Sequence, residues 1–244
     1  GVGKSTLLAG LVSNSFPNYT GKNIPSLAST HSFDVLAFHA CTTDPASLTV
    51  TSFVRNVASM CCQSVPAYGK LIRSSADLQA LLQGNDAKNA FILGVLDPLR
   101  KLLSDGAPVR LLVVDSLDQS LAIGVDKSVA NLLADSDVME SLPSWLRVIA
   151  STRSDPQIEQ LFQLRAPEHV RIEPGRADGD ISAFAEQRSI GRRSVWKSSV
   201  PEIVAAARGN FRFAEAFMDA LDLGLNPAID GVPTMNKLLE QEFD

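Results

Sequence analysis

The sequence predicts an α/β protein with a mostly parallel sheet, followed by a small all-helical part. Three observations carry that expectation. The chain opens on a glycine-containing turn, Gly1, Val2, Gly3, Lys4, Ser5, Thr6, which runs straight into the apolar residues Leu7, Leu8 and Ala9. Apolar runs of strand length at Phe33 to Cys41, Arg110 to Leu117 and Trp145 to Thr152 alternate with helical patterns, and each run ends in polar or acidic residues. That is the pattern of an open sheet whose ligand lies at the carboxyl ends of its strands. From Asp180 only helical patterns remain.

In chain order, Ser5 to Val12 reads as a short helix, and Asn14 to Thr30, rich in Ser, Asn, Pro and Gly, as a loop. Phe33 to Cys41 is mostly apolar, as in a parallel strand covered on both faces. His39 lies inside it and is expected to be packed and hydrogen-bonded, because no Cys or His partners stand at ligand spacing. Asp44 and Pro45 mark a helix start leading into Leu48 to Cys62, where Phe53, Val57 and Met60 recur at helical spacing. A polar break at Ser64 to Gly69 precedes a helix near Ala76 to Leu82. A further helix runs from Ala90 to Leu103, with Leu93, Leu96, Leu99 and Leu103 near one face.

Arg110 to Leu117 (RLLVVDSL) is the strongest strand signal. Lys127 to Leu133 reads as helix, Trp145 to Thr152 as a third strand and Val170 to Glu173 as a fourth. The helical part comprises Ile181 to Gln187, Val200 to Arg208 and Asn210 to Leu223, and another helix begins after Asn226. The expected division is a nucleotide-binding core over residues 1–175, a helical lid over 176–225 and the start of a further segment over 226–244. The chain is expected to be a module cut from something longer.

Composition narrows the class. The chain has 244 residues, 45% of them hydrophobic and 20% charged, as a soluble globular protein requires. A net charge of −5 gives no electrostatic reason to expect nucleic acid or an anionic membrane as partner. The three cysteines, Cys41, Cys61 and Cys62, form neither a disulfide framework nor a paired C-x-x-C spacing, which suggests a reducing, cytoplasmic setting. No apolar run reaches membrane-spanning length.

The opening turn matches the second half of a Walker A loop, G-x-x-x-x-G-K-[ST], at Gly3, Lys4 and Ser5; the first glycine of the motif would lie upstream of residue 1. Glycine lets backbone N–H groups approach polyphosphate, and the helix that follows adds its positive dipole end. Lys4 would bridge the β- and γ-phosphates and the Ser5 hydroxyl would ligate Mg²⁺. Asp115 ends the most aliphatic strand, where a carboxylate can hold Mg²⁺ through water. Asp118 is either a base for the attacking water or a turn and helix-cap aspartate. Gln119 polarises water only weakly. Arg153, at the next strand tip with Ser151 and Thr152, has the fork geometry that suits a γ-phosphate, against the alternative of a plain surface arginine. Arg192 and Arg193 are expected to be solvated, and Trp145 and Trp196 to pack.

GVGKST, LLVVDSLDQ, VIASTRSD and the later RGNFRFAEAFMDAL together resemble the NACHT-type branch of the STAND signalling ATPases. The resemblance implies a P-loop NTPase core of the ASCE type, a three-layer sandwich with a mostly parallel sheet, followed by a small all-helical domain. It implies a switch in which ADP holds one form and exchange for ATP permits self-association, with flanking effector and repeat domains. It maps Gly3, Lys4, Ser5 and Thr6 to the Walker A, Asp115 to the Walker B aspartate, Asp118 to the later acidic position and Arg153 to sensor 1. Gly209, Asn210 and Phe211 take the place of the helical-domain motif beside the adenine. Phe211 stands where the family carries the proline that packs near the adenine. Gln119 stands where the family carries glutamate, so slow hydrolysis is implied. The alternatives are a fast-turnover P-loop motor or kinase, and a nucleotide-free scaffold; a GTPase would need an N-K-x-D motif, which does not occur.

Overall fold

The computed structural model describes residues 4–15, 34–104, 106–165, 167–170, 178–190 and 195–222. Two compact units divide the chain: Ser5–Glu168 is one, and Gly1–Lys4 with His169–Asp244 is the other.

The first unit is built on a three-stranded parallel sheet, β1 (Asp34–Ala40), β2 (Arg110–Asp115) and β3 (Leu146–Ala150), in the order β1-β2-β3. The aliphatic runs are the strands because both sheet faces are covered, which removes the polar alternation of a half-exposed strand. Helix α1 (Lys4–Ser15) lays Leu8 and Val12 against Val35, Leu111 and Val113 on one face. The larger core lies on the other face, where Leu36, Leu112, Val114 and Leu146 meet residues of the intervening helices.

On that larger side, α2 (Pro45–Leu48) starts on Asp44, whose carboxylate accepts from the Ala46 N–H, and α3 (Val50–Ser64) starts on Thr49, whose hydroxyl accepts from the Ser52 N–H. The single expected helix from Leu48 is therefore broken at Thr49 by a second cap. Phe53, Val57 and Met60 are buried, as their spacing predicts. The polar break shrinks to Val65, because Pro66 is pre-set for a first helical turn and opens α4 (Pro66–Ser74). Helix α5 (Ala76–Gln83) ends on the Arg55 guanidinium, which donates to the Leu82 and Gln83 carbonyls at 3.2 and 2.7 Å.

The expected helix from Ala90 to Leu103 is one rod in three pieces: α6 (Ala87–Phe91), a π-helical turn over Ile92–Leu96, and α7 (Asp97–Leu102). Pro98 has no N–H to offer the Gly94 carbonyl four residues earlier. The buried Tyr68 hydroxyl donates there instead, at 2.8 Å. The wider turn also re-aims side chains, so Leu96 and Leu99 are buried while Leu93 is 48% exposed, contrary to the single stripe expected. Tyr68→Phe keeps the ring and orphans the carbonyl, so it is expected to cost about 1–3 kcal/mol, read as a lower denaturation midpoint with unchanged slope.

After β2, 3₁₀ turns over Leu117–Ile123 and Val125–Lys127 lead into α8 (Val129–Ala134) and α9 (Ser136–Glu140), and α10 (Pro156–Phe162) follows β3. Trp145 packs in the core as expected, 1% exposed. Val170 is exposed and outside any strand, and the rest of the expected fourth strand, 171–173, lies outside the described residues. So do most of the loop expected over 14–30, of which Asn14 and Ser15 continue α1, the side chain of Trp196, Arg192, Arg193 and the tail beyond Asp222.

The helical unit consists of α11 (Asp178–Ser189), α12 (Val195–Ala207) and α13 (Phe211–Asp222). Ile181, Ala185, Ile203, Ala207, Phe217 and Met218 close its core, and Arg188 pairs with Asp219. Among the described residues no helix is long and apolar enough to cross a membrane.

Candidate functional site

The carboxyl ends of the three strands converge because parallel pairing puts them on one edge. The Cys41 N–H donates to the Asp115 carbonyl at 3.0 Å, and the Ser151 N–H donates to the Val114 carbonyl at 2.9 Å. Beyond Asp115 the chain turns sharply. Ser116 adopts φ 57°, ψ 46°, a left-handed conformation that costs a non-glycine residue roughly 1–2 kcal/mol. The turn is held from β3: Ser116 N–H donates to Ser151 Oγ at 2.9 Å and Leu117 N–H to the Ser151 carbonyl at 2.8 Å. A strained backbone fixed from a neighbouring strand is a frequent mark of a functional site.

Ser151 Oγ, 8% exposed, in turn donates to Asp115 Oδ1 in a short bond. One hydroxyl thus accepts from the turn and donates to the carboxylate, which fixes the Asp115 rotamer. Asp118, in the following 3₁₀ turn, accepts from the Arg153 main-chain N–H at 3.1 Å, and Arg153 Nε lies 3.4 Å from its other oxygen. Asp115, Asp118 and Arg153, chosen from sequence as site residues, are therefore at one place, with Asp118 engaged by Arg153 rather than capping the next helix.

Cys41 is buried at the same edge. Burial first, and then the Asp115 and Asp118 carboxylates, push its thiol up to about 11. It stays protonated near neutral pH and is no thiolate nucleophile.

His39 is buried two residues earlier, in β1. Its Nε2 donates to the Ser47 carbonyl at 2.7 Å and its Nδ1 accepts from the Asn56 amide at 3.3 Å, an assignment set by those two partners. Asn56 also donates to the Phe38 carbonyl at 2.9 Å, and Phe53 meets the imidazole edge-on. The ring is packed and hydrogen-bonded, as expected. Burial lowers its pKa from the ordinary 6.5, against the smaller raising effect of the Ser47 bond. Below pH 6.5 the unfolded chain takes up a proton that the native ring refuses, so stability is full above that pH and falls as pH drops toward the native value. Denaturant titrations between pH 8 and 5 are expected to show this loss, with a flatter profile in His39→Gln.

Lys4 and Ser5 lie in the first turn of α1, Lys4 half-buried and Ser5 exposed, and Thr6 follows in the same helix. Gly1, Val2 and Gly3 lie outside the described residues. In the helical unit, Arg208 and Gly209 take positive φ of 46° and 77°, closing α12. Asn210 Oδ1 accepts from the Phe213 N–H at 3.3 Å and caps α13, and Phe211 packs toward Phe184 with ring centroids 6.0 Å apart. Turn and packing chemistry accounts for the conformation of all three residues chosen there.

Ser151, Ser116 and Asn56 were not singled out from sequence. Asn56 had a signal, an amide within an apolar helical stripe. Ser151 had only its place at a strand tip. Among the described residues no three His, Cys, Asp or Glu side chains converge on a metal position. Mg²⁺ needs no such cage, since it keeps several waters and takes one or two carboxylates together with phosphate oxygens. Asp115, with one oxygen anchored by Ser151, fits that need.

Comparisons with protein-family models, with curated proteins and with solved structures return no match to this chain.

Proposed function

We propose that the chain is the nucleotide-binding switch module of a P-loop NTPase of the NACHT-type STAND class, taking ATP or ADP with Mg²⁺ and hydrolysing ATP slowly. The observation that carries this is the convergence of Asp115, Asp118, Ser151 and Arg153 at the carboxyl edge of a parallel sheet. Helix α1, which follows Gly1, Val2 and Gly3 in sequence and begins with Lys4 and Ser5, packs on that sheet.

In this proposal the backbone of Gly1 to Ser5 and the Lys4 ammonium hold the phosphates, Ser5 and Asp115 hold Mg²⁺, which neutralises phosphate charge when bound, and Arg153 senses the terminal phosphate. Asp118 orients water, and Gln119 beside it cannot take up a proton, which makes turnover slow. Self-association through this module, the flanking effector and repeat domains, and a cytoplasmic setting belong to the same proposal. The nucleotide can bias the two units only by its differential affinity for their arrangements.

The test is calorimetric titration of the chain with ATP and with ADP, each with Mg²⁺. Saturable heat with both, and turnover far below the roughly ten per second of a typical enzyme, is expected. No heat with either nucleotide returns the chain to a nucleotide-free scaffold, and fast turnover to a motor or kinase.

A further inference from the structure

We propose that Asp118 sets the chain's preference between nucleoside diphosphate and triphosphate, by competing with the terminal phosphoryl group for the Arg153 guanidinium. This rests on the nucleotide-switch proposal and adds to it the residue that regulates the sensor.

Arg153 holds Asp118 by two contacts of different kinds. The main-chain N–H bond to Oδ1, 3.1 Å, belongs to the fold, because the strand tip that carries it is locked to the acidic turn through Ser151. The guanidinium contact is conditional. Nε sits 3.4 Å from Oδ2, beyond the roughly 2.7–2.9 Å of a strong charge-assisted bond. The Arg153 side chain is 74% exposed, whereas that of Asp118 is 11% exposed. The guanidinium can therefore leave while the main-chain bond keeps Asp118 in position. A terminal phosphoryl group offers the fork two or three charged oxygens, a better match than one long contact to a carboxylate. With diphosphate the guanidinium stays on Asp118. With triphosphate it transfers, and Oδ2 of Asp118 is released toward water. Exposed ion pairs are weak, so the competition is expected to lower triphosphate affinity by about two- to fivefold.

The experiment measures the affinity ratio of magnesium adenylyl imidodiphosphate to ADP in wild type, Asp118→Asn, Arg153→Gln and the double variant, with the melting temperature of each. The amide oxygen introduced by Asp118→Asn can still accept from the Arg153 N–H, so folding is preserved; Asp118→Ser, whose hydroxyl can accept the same bond, replaces it if melting falls. The expected result is a two- to fivefold rise in the ratio for Asp118→Asn, absent when Arg153 is already replaced by glutamine. An equal rise in both backgrounds means plain charge repulsion and overturns the competition, as does no rise while Arg153 is intact. Failure of the wild type to bind either nucleotide overturns the switch proposal itself, and is seen before any variant is compared.

Discussion

Phe53→Ala is expected to destabilise the chain by about 3–5 kcal/mol, a fifth or more of the roughly 5–15 kcal/mol that holds a typical domain folded. Phe53 is fully buried in α3, with its ring 5.2 Å from His39 and 5.5 Å from Phe91, centroid to centroid. Truncation opens a void between the C-terminal half of β1, the first turn of α3 and the end of α6. These walls belong to three separate elements of the core and cannot easily collapse inward, which puts the cost at the high end. Phe53→Leu, which fills most of the space, is expected to cost less than half as much. Denaturant titration of the three proteins checks both numbers, and a loss below about 1 kcal/mol for alanine would show that the ring is not enclosed.

Lys4→Ala is expected to weaken binding of MgATP by roughly ten- to hundredfold, the equivalent of about 1.5–3 kcal/mol for a hydrogen bond to a charged group. Alanine is the best helix former and Lys4 opens α1, so the helix should persist. Leu8 and Val12, which fix α1 to the sheet, are not touched. Unchanged melting with weakened binding therefore assigns the effect to the ammonium group. Equal affinity in the two proteins, measured by calorimetry, would remove the opening turn from the site.

The sheet was legible because the fold buries both faces: an unbroken run such as Leu111 to Val114 has few other places to go. The acidic strand end at Asp115 and the basic tip at Arg153 were legible for a related reason, since polar residues that terminate such runs sit at the edge of the sheet. What the sequence hid was how those tips are tied together. The Ser151 hydroxyl serves Asp115 and Ser116 at once, and the left-handed turn at Ser116 carries no glycine to announce it. Leu93 was misplaced because periodicity assumes a constant 3.6 residues per turn, which the π-helical segment violates. The break at Val65 and the cap at Thr49 were hidden by the apolar stripes that continue across them.

Strand β1 also departs from simple alternation. Val35 pairs with Leu111 and Ala37 with Leu112, so Leu36 is an extra residue in the strand, a bulge. Helix α3 satisfies the backbone groups that the bulge displaces: Ser64 Oγ donates to the Leu36 carbonyl at 3.0 Å, and the Phe38 N–H points to Met60 Sδ at 3.3 Å. Beyond the bulge Phe38, His39 and Ala40 pair in regular succession with Val113, Val114 and Asp115. The strand thus consists of two independently phased halves, and excising Leu36 would remove a core side chain while preserving the parity of everything downstream. Length variation at this one position is invisible to the residues that end the strand.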